Sequence, residues 1–321
     1  PEWLEKLAAT RRLLGNDAAA VRRARDPFAV QQVMAESGLA SLVVRQADDP
    51  PTAGEWLRKP LRSAGGLHIR PWRADEDWTL PSDAAIYFQQ RLPDDTPTFG
   101  ASFVMASGEA RRLGVCRHLR AAGAPLGASA RSPYLHGGAV THVLSDEDLA
   151  AIDALGGRFA DRFRLTGVVG IDVARHDGRW YVLEINPRYP ASAQLLDEVG
   201  ATSVIGLHVA AAVRGELPGA ASLRPASPAA FRVAYASRKF AWTAARRAAW
   251  IRLAPPVTEV CGELADIPCE GTIIEAGQPV CTFVVRGTAD SRSDEVGSVP
   301  VTKLETTLAS WLAACERELN C

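Results

Sequence analysis

With 321 residues, of which 47% are hydrophobic, the chain is long enough for two or three subdomains around a sizeable core. A formal net charge of −1 gives no global electrostatic reason to expect a nucleic-acid partner. The six cysteines include no C-x-x-C pair, which favours reduced thiols over a zinc site or a disulfide framework. No apolar run approaches the ~18 residues that span a bilayer, and no signal peptide is visible. We therefore predict a soluble, cytoplasmic protein, and the start at Pro1 rather than Met predicts that an N-terminal piece is missing from this sequence.

The first third of the chain predicts helices followed by strands. Helical spacing runs over residues 1–38, where Asp26 before Pro27 predicts a helix start and Gly38 a helix end. A loop of small residues, 63–66, follows the second predicted strand. The strands predicted in this part are residues 41–45, 55–59, 84–92, 99–106 and 112–118.

The remaining residues again alternate helices and strands. Residues 145–164 predict a helix, which Ser145 and Asp148 begin in the manner of a capping box. The later predicted elements are a two-stranded hairpin at 167–186, a helix at 192–214, a linker rich in Pro, Ala, Ser and Gly at 215–230, short strands at 231–236, 272–275 and 280–286, and a closing helix near 302–318.

The hairpin carries polar side chains at the ends of two apolar strands. Carboxylates are rarely buried without a partner, so the acids Asp172 and Glu184 predict a bound cation. Glu184 and Asn186 are two residues apart and share a strand face. Asp172 joins them if a three-residue turn at 177–179, with its glycine at positive φ, pairs it with Glu184.

Two carboxylates and an amide oxygen would form a hard-oxygen site that suits Mg²⁺ shared with nucleotide phosphates. Arg188, one strand step beyond Asn186, is placed to hold an anion beside that metal. The alternative is a surface hairpin whose acids are merely solvated, against which the apolar runs on both strands argue.

Lys59 ends a predicted strand four residues before the loop of small residues, Ser63-Ala64-Gly65-Gly66. A cation and free backbone amides in this arrangement predict a phosphate cradle. An ordinary surface lysine before a turn is the alternative. The loop matches neither the Walker A sequence nor the Rossmann G-x-G-x-x-G pattern.

Taken in chain order, these features resemble the ATP-grasp superfamily over roughly residues 20–215. The resemblance implies an α+β fold, the ATP-grasp fold, in which two α+β subdomains clamp the nucleotide beside a small C-terminal β lobe. The implied parts are an N-terminal helical remainder of a pre-ATP-grasp region at 1–40, the small subdomain with the glycine-rich flap at 41–120, the large subdomain with the metal hairpin at 121–215, and the C-terminal β lobe with its closing helix at 216–321.

The resemblance also implies the cofactors ATP and Mg²⁺ and a set of site residues. The nucleotide-binding residues are Lys59, the flap residues Ser63, Ala64, Gly65 and Gly66, and the hinge residues Gln89, Gln90, Arg91 and Leu92. The magnesium ligands are Asp172, Glu184 and Asn186, and the catalytic residues are Lys59 and Arg188, of which Arg188 faces the acyl phosphate.

The sequence departs from the family pattern at three points. Pro27 follows Asp26 where many members have a nucleotide-binding lysine, and Arg25 is a candidate to replace that charge. Gln89 stands at the hinge where many members have a glutamate, which would alter the ribose contact. The usual N-terminal α/β subdomain is largely absent ahead of the first helix.

The function implied by the resemblance is an ATP-dependent carboxylate–amine ligase that acts through an acyl phosphate and releases ADP and phosphate. Its partners would be small-molecule carboxylate and amine substrates, with neither nucleic acid nor membrane, and a homodimer is possible. The hairpin and the segment 265–285 resemble the ligases that join glutamate to tyramine or tyrosine in methanofuran-type cofactors. The alternatives are an enzyme that activates bicarbonate or formate, and a catalytically inactive nucleotide-binding partner.

Three further features are weaker candidates for a functional role. His68, beside the flap, is a candidate for a phosphate contact, but a lone histidine beside a loop is more often a local hydrogen-bond partner. His136, beside two glycines, is a slightly better candidate. The segment 238–252, with Trp242 and Trp250 among basic residues, could suggest a membrane surface or an RNA contact. A solvated helix face whose tryptophans cover the core is the favoured interpretation.

Overall fold

The computed structural model describes residues 2–62, 65–66, 68–75, 85–120, 134–196, 203–219, 228–255, 260–287 and 299–320. Contacts divide the chain into two compact units. Unit 1 comprises residues 1–64, 68–117 and 143–225, and unit 2 comprises residues 65–67, 118–142 and 226–321. The division into four parts made from the sequence stays a prediction.

The described helices follow the predicted positions with shifts at their ends. They are α1 (Glu2–Ala8), α2 (Ala18–Ala24), α3 (Pro27–Glu36), α4 (Asp146–Phe163), a 3₁₀ helix (Ala191–Leu196), α5 (Val204–Arg214), α6 (Ala244–Arg252) and α7 (Val301–Asn320). The single helix predicted at 192–214 is thus a 3₁₀ helix and α5, and residues 197–202 between them lie outside the described ranges.

The described strands include every predicted one and several that the sequence pattern did not single out. They are β1 (Val44–Gln46), β2 (Trp56–Pro60), β3 (Arg70–Trp72), β4 (Ile86–Gln90), β5 (Thr98–Ala106), β6 (Glu109–Arg120), β7 (His136–Thr141), β8 (Gly167–His176), β9 (Arg179–Asn186), β10 (Ala229–Tyr235), β11 (Phe240–Ala241), β12 (Val260–Ala265), β13 (Ile273–Ile274) and β14 (Pro279–Gly287). The predicted linker ends earlier than expected, because β10 begins at Ala229.

Local signals in the sequence fix several helix ends. Asp26 caps α3 by accepting a hydrogen bond from the Phe28 N–H at 2.9 Å, with Pro27 in the first turn, as predicted. The capping box of α4 is also confirmed, since Ser145 Oγ accepts from the Asp148 N–H at 3.2 Å and bonds the Asp148 carboxylate at 3.0 Å.

In unit 1, a small antiparallel sheet has the strand order β1-β4-β2-β3. Lys59 of β2 lies directly opposite Tyr87 of β4, and Gln89 is two residues further along β4. Because side chains alternate along a strand, Lys59, Tyr87 and Gln89 share one face of this sheet.

A second antiparallel sheet of unit 1 has the order β6-β5-β8-β9. Strand β5, which the sequence placed in a subdomain ending at residue 120, pairs from Thr98 to Met105 with β8 of the hairpin. The core against this sheet is built from α2, α3 and α4, with Phe103, Phe159 and Ile171 among its buried members. The hairpin therefore rests on a packed layer that limits its movement.

Unit 2 has a sheet of order β12-β14-β10-β7 and its own core. Trp250 lies edge-on to Trp242 at 5.2 Å between ring centroids, and Phe283 contacts both Trp250 and Trp311. Trp242 and Trp250 are buried, whereas Arg247 is exposed. The interpretation that the tryptophans of this basic segment cover the core is confirmed. Within the described ranges, no helix combines the length and the apolar character needed to cross a membrane.

Candidate functional site

The hairpin of β8 and β9 pairs Asp172 directly with Glu184, which is the predicted register. The predicted three-residue turn is wrong, however. His176 pairs with Arg179, so the turn has two residues, Asp177 and Gly178, and both have positive φ, at 47° and 71°. A turn of this type matches the right-handed twist of the strands.

A bulge in β9 completes the register. Val173 pairs with Val182 but Asp172 pairs with Glu184, so Leu183 is an extra residue in the ladder. With the two-residue turn and no bulge, Asp172 would face Leu183 instead. The turn and the bulge together bring the two acids opposite each other.

Asn186 links the two carboxylates. Its Nδ2 donates to Asp172 Oδ2 at 3.1 Å and to Glu184 Oε1 at 3.3 Å. The predicted trio of two carboxylates and one amide is therefore assembled on one face of the hairpin. Among the described residues, no group of three or more His, Cys, Asp and Glu side chains forms a separate candidate metal site.

The two carboxyl groups differ in their affinity for a proton. Desolvation, the neighbouring charge of Glu184 and a hydrogen bond with Glu184 raise the pKa of Asp172 well above its ordinary value. Desolvation also disfavours ionisation of Glu184, but the charge of Lys59, the hydrogen bonds of Asp172 and Asn186 and the charge of Arg25 outweigh it and lower the pKa of Glu184. As pH falls, Asp172 therefore takes up a proton before Glu184 does.

Lys59 supplies the facing positive charge. It is 7% exposed, and its Nζ donates to Gln89 Oε1 at 2.9 Å and reaches the carbonyl oxygen of Leu183 at 3.5 Å. Burial lowers the pKa of Lys59, but the charges of Tyr87, Glu184 and Asp172 more than offset this and raise it overall. Lys59 is therefore a fixed, protonated cation beside the acid pair.

The arginines named by the sequence lie at the edge of this group. The Arg188 side chain is exposed, with Nη2 at 3.5 Å from Asn186 Oδ1 and Nη1 donating to the Tyr189 carbonyl at 3.2 Å. Arg25, the candidate for the missing lysine charge, is close enough to Glu184 to stabilise its ionised form. Lys59 and Arg25 are therefore the cations that act on the acid pair, and Arg188 lies beside Asn186.

The residues present fit a hard divalent cation such as Mg²⁺. The acids Asp172 and Glu184 lie opposite each other, the mutual repulsion of their carboxylates favours a bound cation, and oxygen ligands suit Mg²⁺. Asp172, Glu184 and the amide oxygen of Asn186 would hold it, with the amide turned so that Oδ1 rather than Nδ2 faces the carboxylates.

The hinge residues divide between two roles. Gln89 faces Lys59, as described above. Gln90 Oε1 instead accepts from the Val43 N–H at 3.3 Å, and Arg91 forms ion pairs with Glu55 at 2.9 Å and Asp94 at 2.6 Å. Leu92 is half-buried. The structure thus brings Gln89 into the group around Lys59 and gives the side chains of Gln90 and Arg91 contacts within their own sheet and loop.

The flap is only partly described, because Ser63 and Ala64 lie outside the described residues. The Gly65 carbonyl accepts from the His136 N–H at 3.0 Å. Gly66 has φ +78°, and a Cβ there would overlap the carbonyl oxygen of Tyr134, so no larger residue fits. His136 also stacks edge-on against His118 at 5.5 Å, and His68 is exposed with φ +64°. The phosphate contacts predicted for both histidines stay predictions.

Sequence reasoning missed two members of the site. Tyr87 places its ring 5.6 Å from Lys59 Nζ, and its alternation with Gln89 along β4 was a signal that could have revealed it. The Leu183 carbonyl reaches Lys59 because the bulge displaces it from the ladder. The sequence carried a faint signal for the bulge, since the buried positions 180, 182 and 185 change phase there.

Comparison with known families agrees with this geometry. Residues 42–192, which contain Lys59, the hinge and the whole hairpin, match the family model described as the ATP-grasp domain. No curated protein matches the sequence.

Solved structures show the same fold along nearly the whole chain. Carboxyaminoimidazole ribonucleotide synthase from Aspergillus clavatus, complexed with ATP, is 14% identical with a TM-score of 0.71, covering 98% of this chain and 78% of that one. L-amino acid ligase from Bacillus licheniformis is 14% identical with a TM-score of 0.65, covering 95% and 76%. Biotin carboxylase from Campylobacter jejuni is 13% identical with a TM-score of 0.61, covering 89% and 68%. The chain has the α+β ATP-grasp fold, as the sequence predicted.

Proposed function

We propose that the protein is an ATP-dependent carboxylate–amine ligase that uses ATP and Mg²⁺. In the proposed reaction, an oxygen of the substrate carboxylate attacks the γ-phosphorus of ATP, giving an acyl phosphate and ADP. The amine nitrogen then forms a bond to the acyl carbon, phosphate leaves with the bonding electrons, and the amine gives up a proton. The products are an amide, ADP and phosphate.

The observation that carries the proposal is the position of buried Lys59, which lies on one sheet, bonds the Leu183 carbonyl of the other and feels the charges of the Asp172–Glu184 pair. A carboxylate and a triphosphate repel each other, so their reaction requires fixed positive charge on both sides. Lys59 acts on the acid pair through its charge, and Arg188 lies beside Asn186. Bound Mg²⁺ would supply the charge that lets the two carboxylates and the phosphates share one site.

Each residue has a distinct part in this proposal. Lys59, positioned by Gln89, would bind the transferring phosphoryl group and neutralise the charge that spreads over its oxygens. Asp172, Glu184 and Asn186 would hold the metal, and Arg188 would orient the acyl phosphate. Arg25 would add charge where many ATP-grasp proteins carry a lysine.

The narrower proposal is the addition of glutamate to an amine during the synthesis of a methanofuran-like cofactor. It is supported by the resemblance of the hairpin and of segment 265–285 to such ligases. Activation of bicarbonate is the second candidate, favoured by the shared fold of the carboxyaminoimidazole ribonucleotide synthase and of the biotin carboxylase. The two candidates differ in the acid that would stimulate ADP release.

The test is ADP release from Mg·ATP across a matrix of amino acids, aromatic amines, bicarbonate, formate and other small acids, with products identified by mass. We expect ADP only with one acid–amine pair, and its loss in Glu184→Ala. Arg179→Ala, an exposed hairpin position outside the acid group, is the matched control and should keep wild-type turnover. Stimulation by bicarbonate alone would favour the second candidate. Binding of Mg·ATP without ADP release under any condition would leave a nucleotide-binding protein without turnover.

A further inference from the structure

The chain segment before α2 contacts the open end of the metal hairpin through one side chain. Asn16 Nδ2 donates to the carbonyl oxygens of Thr166 and Pro187, each at 3.1 Å, and its Oδ1 accepts from the Thr166 N–H at 2.8 Å. Both N–H groups and the oxygen of this amide are therefore engaged with main-chain groups that lie 150 and 171 residues away in sequence.

Thr166 and Pro187 occupy particular places in the hairpin. Thr166 immediately precedes β8, and Pro187 immediately follows Asn186, the last residue of β9. The Arg188 N–H donates to the Asn186 carbonyl at 2.7 Å, which closes a tight turn centred on Pro187. The carbonyl that Asn16 binds is thus the one at the centre of this turn.

The bond to Pro187 bears directly on two site residues. Proline fixes its own φ, and a hydrogen bond to its carbonyl fixes the peptide plane that leads into Arg188. With that plane held, the backbone between Asn186 and Arg188 has one orientation. The described side-chain hydrogen bonds of Asn186 and Arg188 are to the two acids, to the Tyr189 carbonyl and to each other.

We propose that Asn16 is a positioning residue for the metal and anion site, acting through the turn at Pro187. It touches no proposed ligand and instead sets the direction in which Asn186 and Arg188 project toward the acid pair. Groups behind metal ligands commonly tune affinity in this way. The inference rests on the proposed function only in taking Asp172, Glu184 and Asn186 as metal ligands.

The same region offers a matched control. His208 of α5 accepts from the Val168 N–H at Nδ1, at 2.9 Å, so its proton lies on Nε2, which bonds the Leu14 carbonyl at 2.9 Å. His208 therefore ties the same N-terminal segment to the same end of β8 but makes no described bond to Pro187. Loss of His208 should loosen the segment without releasing the turn.

The experiment measures Mn²⁺ binding by electron paramagnetic resonance, with and without ADP, in the wild type, Asn16→Asp, Asn16→Ala and His208→Ala. Asn16→Asp keeps the acceptor for Thr166 but replaces both donors by an oxygen that repels the two carbonyls. We expect both Asn16 variants to weaken Mn²⁺ binding by about tenfold or more. His208→Ala should bind Mn²⁺ with an affinity close to that of the wild type, although its loss of thermal stability is comparable to that of the Asn16 variants.

If the wild type binds Mn²⁺, two results would overturn the proposal. One is wild-type Mn²⁺ affinity in both Asn16 variants, which would show that Asn16 only stabilises the fold. The other is an equal loss of affinity in His208→Ala, which would show that any loosening of β8 has the same effect. A wild-type protein that binds Mn²⁺ and ADP but ligates no acid–amine pair would refute the proposed ligase, and the Mn²⁺ affinities of the variants would still decide the role of Asn16. Failure of the wild type to bind Mn²⁺ would overturn both.

Discussion

Lys59 is held in place by a neutral amide rather than by a carboxylate. Its Nζ donates to Gln89 Oε1 at 2.9 Å. A glutamate at this position would neutralise the lysine, whereas the amide fixes the side chain and leaves its positive charge to the acid pair and to an incoming phosphate. The departure from the family pattern at Gln89 is therefore compatible with binding of a polyphosphate.

We predict that Lys59→Met weakens binding of Mg·ADP by roughly 30-fold, because a hydrogen bond to a charged group contributes ~2 kcal/mol. Isothermal titration calorimetry would measure the change. Lys239→Met is the control, since Lys239 forms an exposed ion pair with Glu275 in unit 2. Equal ADP affinity in Lys59→Met and the wild type would contradict the assignment of Lys59.

A second charged residue, Asp148, links helix α4 to the hairpin. Its Oδ1 accepts from Arg175 Nε and from Trp180 Nε1, each at 3.0 Å. Desolvation raises the pKa of Asp148, but the hydrogen bonds of Ser145 and Trp180 and the charge of Arg175 outweigh it and lower the pKa below the ordinary 3.8.

The lowered pKa has a definite sign for stability. The folded protein binds fewer protons at Asp148 than the unfolded chain does, so the contribution is complete above the ordinary pKa and is lost as pH falls through the folded pKa. We predict that the difference in unfolding free energy between the wild type and Asp148→Asn shrinks as pH falls below 3.8. Urea denaturation at a series of pH values would measure it, and a difference independent of pH would contradict the prediction.

Among the secondary-structure elements, the hairpin of β8 and β9 depends on its two-residue turn. Gly178 has φ +71°, and no atom lies within 4 Å of the position that a Cβ would take. A side chain there meets no steric obstacle, so any loss of stability must come from the backbone conformation.

We predict that Gly178→Ala lowers the free energy of unfolding by about 1 kcal/mol. Gly157→Ala is the matched control, because Gly157 lies inside helix α4 and also has open space around it. Alanine favours helix, so this variant should gain ~0.5 to 1 kcal/mol. Chemical denaturation would measure the free energy of unfolding of both variants. A change of the same sign in both would contradict the prediction that the turn requires glycine at position 178.

The elements also show how far the sequence could predict the structure. The helix starts at Asp26 and Ser145 and the opposition of Asp172 and Glu184 were predictable, because each depends on residues close together in the chain. The turn length was predicted wrongly, although Asp-Gly is typical of a two-residue turn. The pairing of Asp172 with Glu184 was nevertheless predicted correctly, because a three-residue turn and a two-residue turn with a bulge give the same register.

Contacts between distant parts of the chain could not be predicted from local patterns. The bonds of Asn16 to Thr166 and Pro187 join segments 150 and 171 residues apart, and nothing in the sequence around Asn16 indicates them. The ion pair between Arg91 and Glu55 is another case, since Glu55 lies 36 residues earlier, immediately before β2. The hinge resemblance assigned Gln89 a contact with the nucleotide and revealed neither its hydrogen bond with Lys59 nor these contacts.

For the molecule as a whole, each unit has a separate hydrophobic core. The core of unit 1 includes Phe159, and that of unit 2 includes Phe283, and both side chains are fully buried. Units with separate cores can open independently, so one unfolding free energy need not describe the whole chain.

We predict that Phe283→Leu and Phe159→Leu each destabilise mainly their own unit, by about 1 to 2 kcal/mol. Hydrogen exchange followed by mass spectrometry should show faster exchange in β10 and β14 for the first variant and in α4 and β5 for the second. Faster exchange throughout the chain in both variants would instead show that the two units unfold as one.

The bulge at Leu183 has a consequence for how relatives of different length should be compared. A homologue one residue shorter at this position would form a regular hairpin in which the two acids still face each other. What it would lose is the displaced carbonyl that approaches Lys59. A gap at residue 183 in an alignment therefore signals a change in how the lysine is held, and the acids on either side of the gap remain equivalent.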